Sequence, residues 1–287
     1  MSVSQRLEVS HRAPGHEELH RLFREQDLLC GNVEEWSRTH LSAVAAQDPG
    51  CYVRAGGTLV GAALRDGREL LLAVAPDEGP ERGQIATTLL QRAPGAEECW
   101  VPTDDSDLPN ALASQGWRPS TVDLQMRLRL PMTTYAALPD GVRLAELTGS
   151  DDAALHGAVH ELACDAWGVA SSPAEFLDRY VRHPAYDAGL WVVGHDGDGV
   201  CGAAIGRIEQ LPDDRVGKVA SLAVAPRARG RGLAAALLGQ LCRRFASRGL
   251  SLAQLGVHED NRSGAPAMYR HLGWVQASSK TQWEPDV

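Results

Sequence analysis

The chain has 287 residues, 44% hydrophobic and 23% charged, with a formal net charge of −9. That is enough apolar content for one large or two ordinary globular domains, and the acidic balance argues against a nucleic-acid or membrane-surface binder and for a cationic small-molecule partner. Six cysteines (Cys30, Cys51, Cys99, Cys164, Cys201 and Cys242) form no C-x-x-C pair, and no apolar run reaches the length of a membrane span or a leader core, so free thiols in a cytoplasmic protein are the expectation.

In chain order, helices are expected at His16–Gln26 and Val33–Ala46, then strands around Cys51–Arg54, Leu59–Arg65 and Leu70–Val74. His16-Glu17-Glu18-Leu19-His20 matches H-E-x-x-H, in which two histidines on one helical face hold zinc and the glutamate activates water. With ten histidines in the chain such a match arises by chance, and no third ligand follows at a characteristic spacing, so no metal site is expected. The stretch from Leu130-Pro131 to Pro139-Asp140-Gly141 interrupts any regular pattern and reads as a linker, dividing the chain into 1–130, 131–141 and 142–287.

Beyond the linker, Val142 to Leu147 reads as a strand, Asp151 or Asp152 as a helix cap, Ala153–Trp167 as an amphipathic helix and Ser172–Val181 as a second helix. Leu190–Gly194 and Val200–Ile208 read as hairpin strands about His195-Asp-Gly-Asp-Gly. His156, His160 and Cys164 share one face of the first helix, a spacing open to metal binding but read here as the lining of the acceptor cleft or an inert stripe.

The most specific stretch follows. An apolar strand containing Leu222, Ala223 and Val224 breaks at Pro226 into Arg227-x-x-Gly230-x-Gly232, and Leu233, Leu237, Leu241 and Phe245 then recur at helical spacing. Glycines let consecutive N–H groups turn toward one anion, and the helix aims its positive end at it. Arg229 and Arg231 complete a basic cluster that a small anionic cofactor explains. Gly230 to Ala235 also fits a G-x-G-x-x-A dinucleotide fingerprint with Glu259 as ribose acid, but the chain left after Glu259 is too short for the further βα units that fold needs.

This strand, loop and helix resemble the acyl-CoA-binding motif of the GNAT superfamily of N-acyltransferases. A second motif agrees: the ending Tyr269-x-x-x-Gly273-Trp274 resembles the superfamily's "Tyr-x-x-x-Gly-Phe" helix and turn, with Trp for Phe. Together the motifs cover about a quarter of the chain. The resemblance implies that amides of Arg229, Gly230, Arg231, Gly232 and Leu233 bind the pyrophosphate of acetyl-CoA, that Leu222 and Val224 pair through backbone with its pantetheine arm, and that Tyr269 is a general acid toward the departing thiolate. Asn261 resembles the Asn that precedes the Tyr helix and contacts the cofactor, but stands eight positions before Tyr269 where the family has seven, with Gly264 as the extra residue. The acid that relatives carry on the strand before the cradle is replaced by Lys218, leaving Glu209, His258, Asp165 and Glu161 as candidate bases.

The first half repeats the order faintly. Val74-Ala75-Pro76 echoes Val224-Ala225-Pro226, Ile85–Leu90 echoes Leu233–Leu238 and Gly116-Trp117 echoes Gly273-Trp274, but the Asp77–Gln84 loop carries acids and a proline, and Leu112 stands where Tyr269 stands in the second half. The expected fold is therefore α/β (α+β), two tandem GNAT-like domains, each a mixed, mostly antiparallel sheet flanked by helices, with an eroded first half. The CDAWG segment at Cys164–Gly168 and the segment Arg182–Asp198 look like the mycothiol synthase group of the superfamily. That resemblance implies transfer of an acetyl group to a primary amine of a small polar molecule by a monomer or homodimer. The acceptor stays open between a cysteinyl sugar, an antibiotic and another secondary metabolite, and a non-catalytic acyl-CoA sensor is the alternative outside this class.

Overall fold

A computed structural model describes residues 7–29, 38–76, 81–93, 95–147, 149–168, 170–210 and 215–286. Val33, where the second helix was expected to start, and the head of the Asp77–Gln84 loop lie outside them. The chain forms two compact units, Met1–Gln125 with Val257–Pro266 and Gln276–Val287, and Met126–Gly256 with Ala267–Val275.

In the first unit β1 (Leu7–Ser10), β2 (Cys51–Ala55), β3 (Thr58–Asp66) and β4 (Glu69–Val74) form an antiparallel meander, and β5 (Glu98–Pro102) adds parallel to β4. The run Leu70-Leu71-Leu72-Ala73-Val74 is apolar at every position because both faces of the sheet are covered. Leu71 and Tyr52 meet Leu19, Leu22 and Phe23 of α1 (His16–Leu29) and Leu41 of α2 (Arg38–Gln47). Leu72 and Val53 meet Ile85 and Leu89 of α3 (Arg82–Leu90) and Leu108 and Leu112 of α4 (Asp107–Ser114). His16 of the H-E-x-x-H match has its Nδ1 bonded to Ser42 Oγ at 2.8 Å.

The chain leaves the first unit within β6 (Trp117–Arg129). The second unit contains β7 (Arg143–Ala145), α5 (Ala153–Trp167), α6 (Pro173–Phe176), β8 (Trp191–Asp196), β9 (Gly199–Gln210), β10 (Arg215–Val224), α7 (Leu233–Ser247) and most of β11 (Leu252–His258). Its sheet runs β11-β10-β9-β8-β7, antiparallel except where β11 lies parallel to β10. Asp152 caps α5 through Leu155 N–H at 3.3 Å, and Ser172 with Glu175 forms a capping box for α6. The second helix expected over Ser172–Val181 is split: after Phe176 it widens into a π turn, Arg182 N–H reaching Leu177 O at 2.8 Å.

The apolar stripe of α7 lies on the sheet as its spacing predicts, close enough that glycines are required beneath it. A Cβ on Gly202 would stand 2.7 Å from Leu237, on Gly206 2.6 Å from Leu241, and on Gly217 2.5 Å from Phe245. Residues 131–141 have neither helix nor strand, and Tyr135 among them is held on α7 by Arg243, whose guanidinium carbon is 4.1 Å from the ring centre.

After α8 (Ala265–His271), β12 (Val275–Pro285) pairs antiparallel with β5, Lys280 opposite Pro102 and Trp283 opposite Cys99. From Gln276 onward the end of the chain thus belongs to the first unit, whose core includes Trp283.

Candidate active site

Two departures from regular pairing open β10. Against β9 the register passes from Val219 opposite Gly206 to Ser221 opposite Ile205, leaving Ala220 as a bulge. Against β11, β10 pairs only at Gly217–Ala253 and Lys218–Gln254. Ala225 N–H donates to Cys201 O at 3.0 Å, so alternation turns the amides of Ser221 and Ala223 toward β9 and those of Leu222 and Val224 toward the opened edge.

At the end of β10 one 3₁₀ turn, Pro226–Ala228, leads into the loop, where Gly230 (φ +74°) and Gly232 (φ +79°) both adopt left-handed backbone and Gly232 caps α7 without a side chain. Among the described residues the first helical amide with a backbone acceptor is that of Ala236, on Gly232 O at 3.1 Å. The amides from Gly230 to Ala235 are left for a ligand. A Cβ on either glycine would meet nothing within 4 Å, so the space before the loop is open. The residues present thus fit a pyrophosphate.

The three arginines each hold an acceptor of the protein itself. Arg227 bonds Asp196 Oδ2 at 2.5 Å and Val200 O at 3.3 Å, Arg229 bonds Val224 O at 3.2 Å and Ala166 O at 2.9 Å, and Arg231 bonds Asp140 O at 2.8 Å. Arg227 therefore shares its charge with Asp196, whose carboxyl is held below the usual range by that bond. Among the described residues the hydrogen bonds of Arg229 and Arg231 go to carbonyls, and the Arg231 charge also acts on Asp196.

Tyr269 lies in α8, 6% exposed, its ring 6.0 Å from that of Trp274. Burial pushes its phenol up to about 12, so it is protonated at neutral pH. Asn261 is engaged locally: its Oδ1 accepts from Ser263 N–H at 3.0 Å and Ser263 Oγ at 2.5 Å, and Gly264 behind it takes φ +76°.

Of the candidate bases, Glu209 is bonded to Arg207 Nε at 2.7 Å, Glu161 and Asp165 are exposed on α5, and His258 belongs to the first unit, its ring 6.2 Å from that of Trp100. The stripe on α5 divides. His156 is buried against Trp191 and Tyr186, whereas His160 Nε2 contacts Cys164 Sγ at 3.3 Å and Ser171 O at 2.9 Å. Sequence reasoning missed a small hollow beside the bulge, lined by Arg179, Tyr180, His183, Tyr186, Arg207 and Ala220 among others. Its residues come from three segments, and the π turn that sets Arg179 and Tyr180 leaves no mark on periodicity.

Residues 157–274 match the acetyltransferase (GNAT) family, and the chain carries a GNAT acetyltransferase domain there. The mycothiol acetyltransferase of Beutenbergia cavernae is 33% identical over 153 residues, 51% of this chain and 49% of that protein. The match spans about half of that relative's length. Among solved structures, a GCN5-related N-acetyltransferase from Sphaerobacter thermophilus shares the fold with a TM-score of 0.75 at 19% identity, covering 100% of this chain and 98% of that one. A tandem GNAT protein from the clavulanic acid biosynthesis pathway does so with a TM-score of 0.64 at 14% identity, covering 97% and 98%. The GNAT fold therefore extends over the whole chain. No helix among the described residues is long and apolar enough to cross a membrane.

Proposed function

We propose that the second unit transfers an acetyl group from acetyl-CoA to a primary amine of a small polar molecule by direct attack. The observation that carries this reading is the row of uncommitted amides from Gly230 to Ala235 at the open end of a bulged β10. Those amides and the charges of Arg229 and Arg231 hold the pyrophosphate, and the opened backbone of Leu222 and Val224 takes the pantetheine amides as an added strand would. The Val224 N–H polarises the thioester carbonyl, and proximity supplies much of the rate.

As the amine attacks, the N–C bond forms, the C–S bond breaks, nitrogen loses one proton and sulfur gains one. Tyr269 faces the leaving sulfur in this scheme. Full transfer from a phenol at about 12 to a thiolate whose thiol titrates near ~8.5 is uphill by roughly 5 kcal/mol. Its contribution is therefore a hydrogen bond that strengthens as sulfur gains charge, the proton arriving through solvent. Replacing Tyr269 with Phe is expected to lower kcat about 100-fold while the acetyl-CoA Kd stays within about two-fold. Thiol release under saturating amine and calorimetry measure the two. Unchanged turnover would remove Tyr269 from the mechanism, and an acyl-CoA sensor without catalysis would show no turnover in either protein.

Direct attack also requires that no cysteine carry the acetyl group. Among the described residues Cys164 is the one to check, since it is partly exposed and His160 is 3.3 Å away. Incubation with acetyl-CoA in the absence of amine is expected to leave the protein's intact mass unchanged, and Cys164→Ala is expected to retain turnover; an acetyl adduct on Cys164 would replace direct attack with a two-step transfer.

A further inference from the structure

The first unit has an opened strand edge of its own. Among the described residues β5 pairs with β4 at Glu69–Glu98 and Leu70–Cys99 and no further along, as β11 leaves β10 after Lys218. Ala75 N–H donates to Val60 O on β3 at 2.8 Å, the counterpart of Ala225 N–H on Cys201 O. Alternation therefore turns the backbone groups of Leu72 and Val74 away from β3 and into the gap that β5 leaves. By the echo of Val224-Ala225-Pro226 in Val74-Ala75-Pro76, these two residues hold the places of Leu222 and Val224. Here, however, the edge is taken. Gln26 follows Leu19, Leu22 and Phe23 on the buried face of α1 and is itself 7% exposed. Its Nε2–H donates to Leu72 O at 2.7 Å, and its Oε1 accepts Val74 N–H at 2.9 Å. One carboxamide thus satisfies the two groups that an added strand or a ligand amide would pair. The head of α3 is also answered from within, since Arg82, which the same echo sets at the place of Gly230, bonds the buried Asp105.

We infer that the Gln26 carboxamide occupies, in the first unit, the place that the second gives to a pantetheine amide, so that the protein closes this cleft itself and each chain takes up one acetyl-CoA. The inference rests on the acetyl-transfer reading above and assigns the cofactor to one of the two units. A ligand amide entering the first cleft would exchange two hydrogen bonds for two like them, and would bear the cost of association that the tethered Gln26 does not. The gap closed by Gln26 is buried as well, Leu72 being 2% and Val74 0% exposed.

Calorimetric titration of the native protein with acetyl-CoA is expected to give one site per chain, and the Gly230→Glu, Gly232→Glu protein to keep no second, unaffected site. In Gln26→Ala the Val74 amide is expected to exchange its hydrogen about 100-fold faster, read by NMR against the Ala75 amide as internal reference. The melting temperature is expected to fall by about 5 °C or more, with acetyl-CoA affinity unchanged. Gln26→Glu keeps the side-chain volume and serves should the alanine variant fold poorly. Its protonated carboxyl repeats the donor and acceptor of the carboxamide and its carboxylate does not, so its deficit in melting temperature against the native protein is expected to be full at neutral pH and to shrink as the pH is lowered. Two acetyl-CoA sites, a site untouched by the two glutamates, unchanged Val74 exchange in Gln26→Ala, or a Gln26→Glu deficit independent of pH would overturn the inference and leave the acetyl-transfer reading standing. Failure of the native protein to bind acetyl-CoA would overturn that reading and this inference with it.

Discussion

The Gly230→Glu, Gly232→Glu protein is expected to lose acetyl-CoA affinity by about 100-fold or more, roughly 2.7 kcal/mol, while still unfolding cooperatively. Both glycines hold positive φ, +74° and +79°, which costs an ordinary residue ~1–2 kcal/mol each, yet neither new Cβ would meet any atom within 4 Å. The fold therefore bears strain but no clash, and the two carboxylates occupy the space before the amides of Gly230 to Ala235, where they repel the pyrophosphate. The Ala, Ala double variant isolates the strain: it is expected to lose similar stability and less affinity. Calorimetric titration with a thermal melt of each protein reads both effects, and undiminished binding by the Glu variant would remove the cradle from the proposed site.

Arg82→Met is expected to destabilise the first unit by about 3–5 kcal/mol, the cost of leaving a buried charge without its partner. Arg82, at the start of α3, bonds Asp105, and both side chains are only 7% exposed. The Asp105 carboxylate also accepts the N–H groups of Asp107 and Leu108, at 2.8 and 3.0 Å, at the head of α4. Asp105→Asn in the Arg82→Met background keeps that acceptor and removes the orphaned charge, so it is expected to recover most of the loss. Urea midpoints of the three proteins check this, and an unaltered midpoint in Arg82→Met would show that the pair contributes nothing net. The basic residue at this helix start is used to hold an internal acid, whereas at the start of α7 the amides stay uncommitted.

Much of the second unit was legible because its signals are local. Pro226 ends a strand, Gly230 and Gly232 supply backbone that other residues resist, and Leu233, Leu237, Leu241 and Phe245 repeat at helical spacing; each acts within a turn or two of chain. The cap read at Asp151 or Asp152 was legible for the same reason, and it falls at Asp152. The long β6 was not expected, since Trp117–Arg129 mixes exposed polar with buried apolar positions along its length. The π turn after Phe176 escaped notice because one residue added to a helical turn changes no residue type.

The sequence by itself determined where the backbone must turn, which helix face is apolar and which loop can present amides to an anion, since these depend on φ, side-chain volume and period over a few residues. The tertiary structure alone decided three things: that β10 bulges at Ala220 and parts from β11 after Lys218, that Arg179, His183 and Arg207 converge on one small hollow, and that the last strand returns to the first unit. Thr103 and Thr281 meet hydroxyl to hydroxyl at 2.9 Å across 178 positions of sequence. Strand partner and register are chosen by which edges and apolar faces remain to be covered once the rest of the chain has packed, and that competition has no local signature.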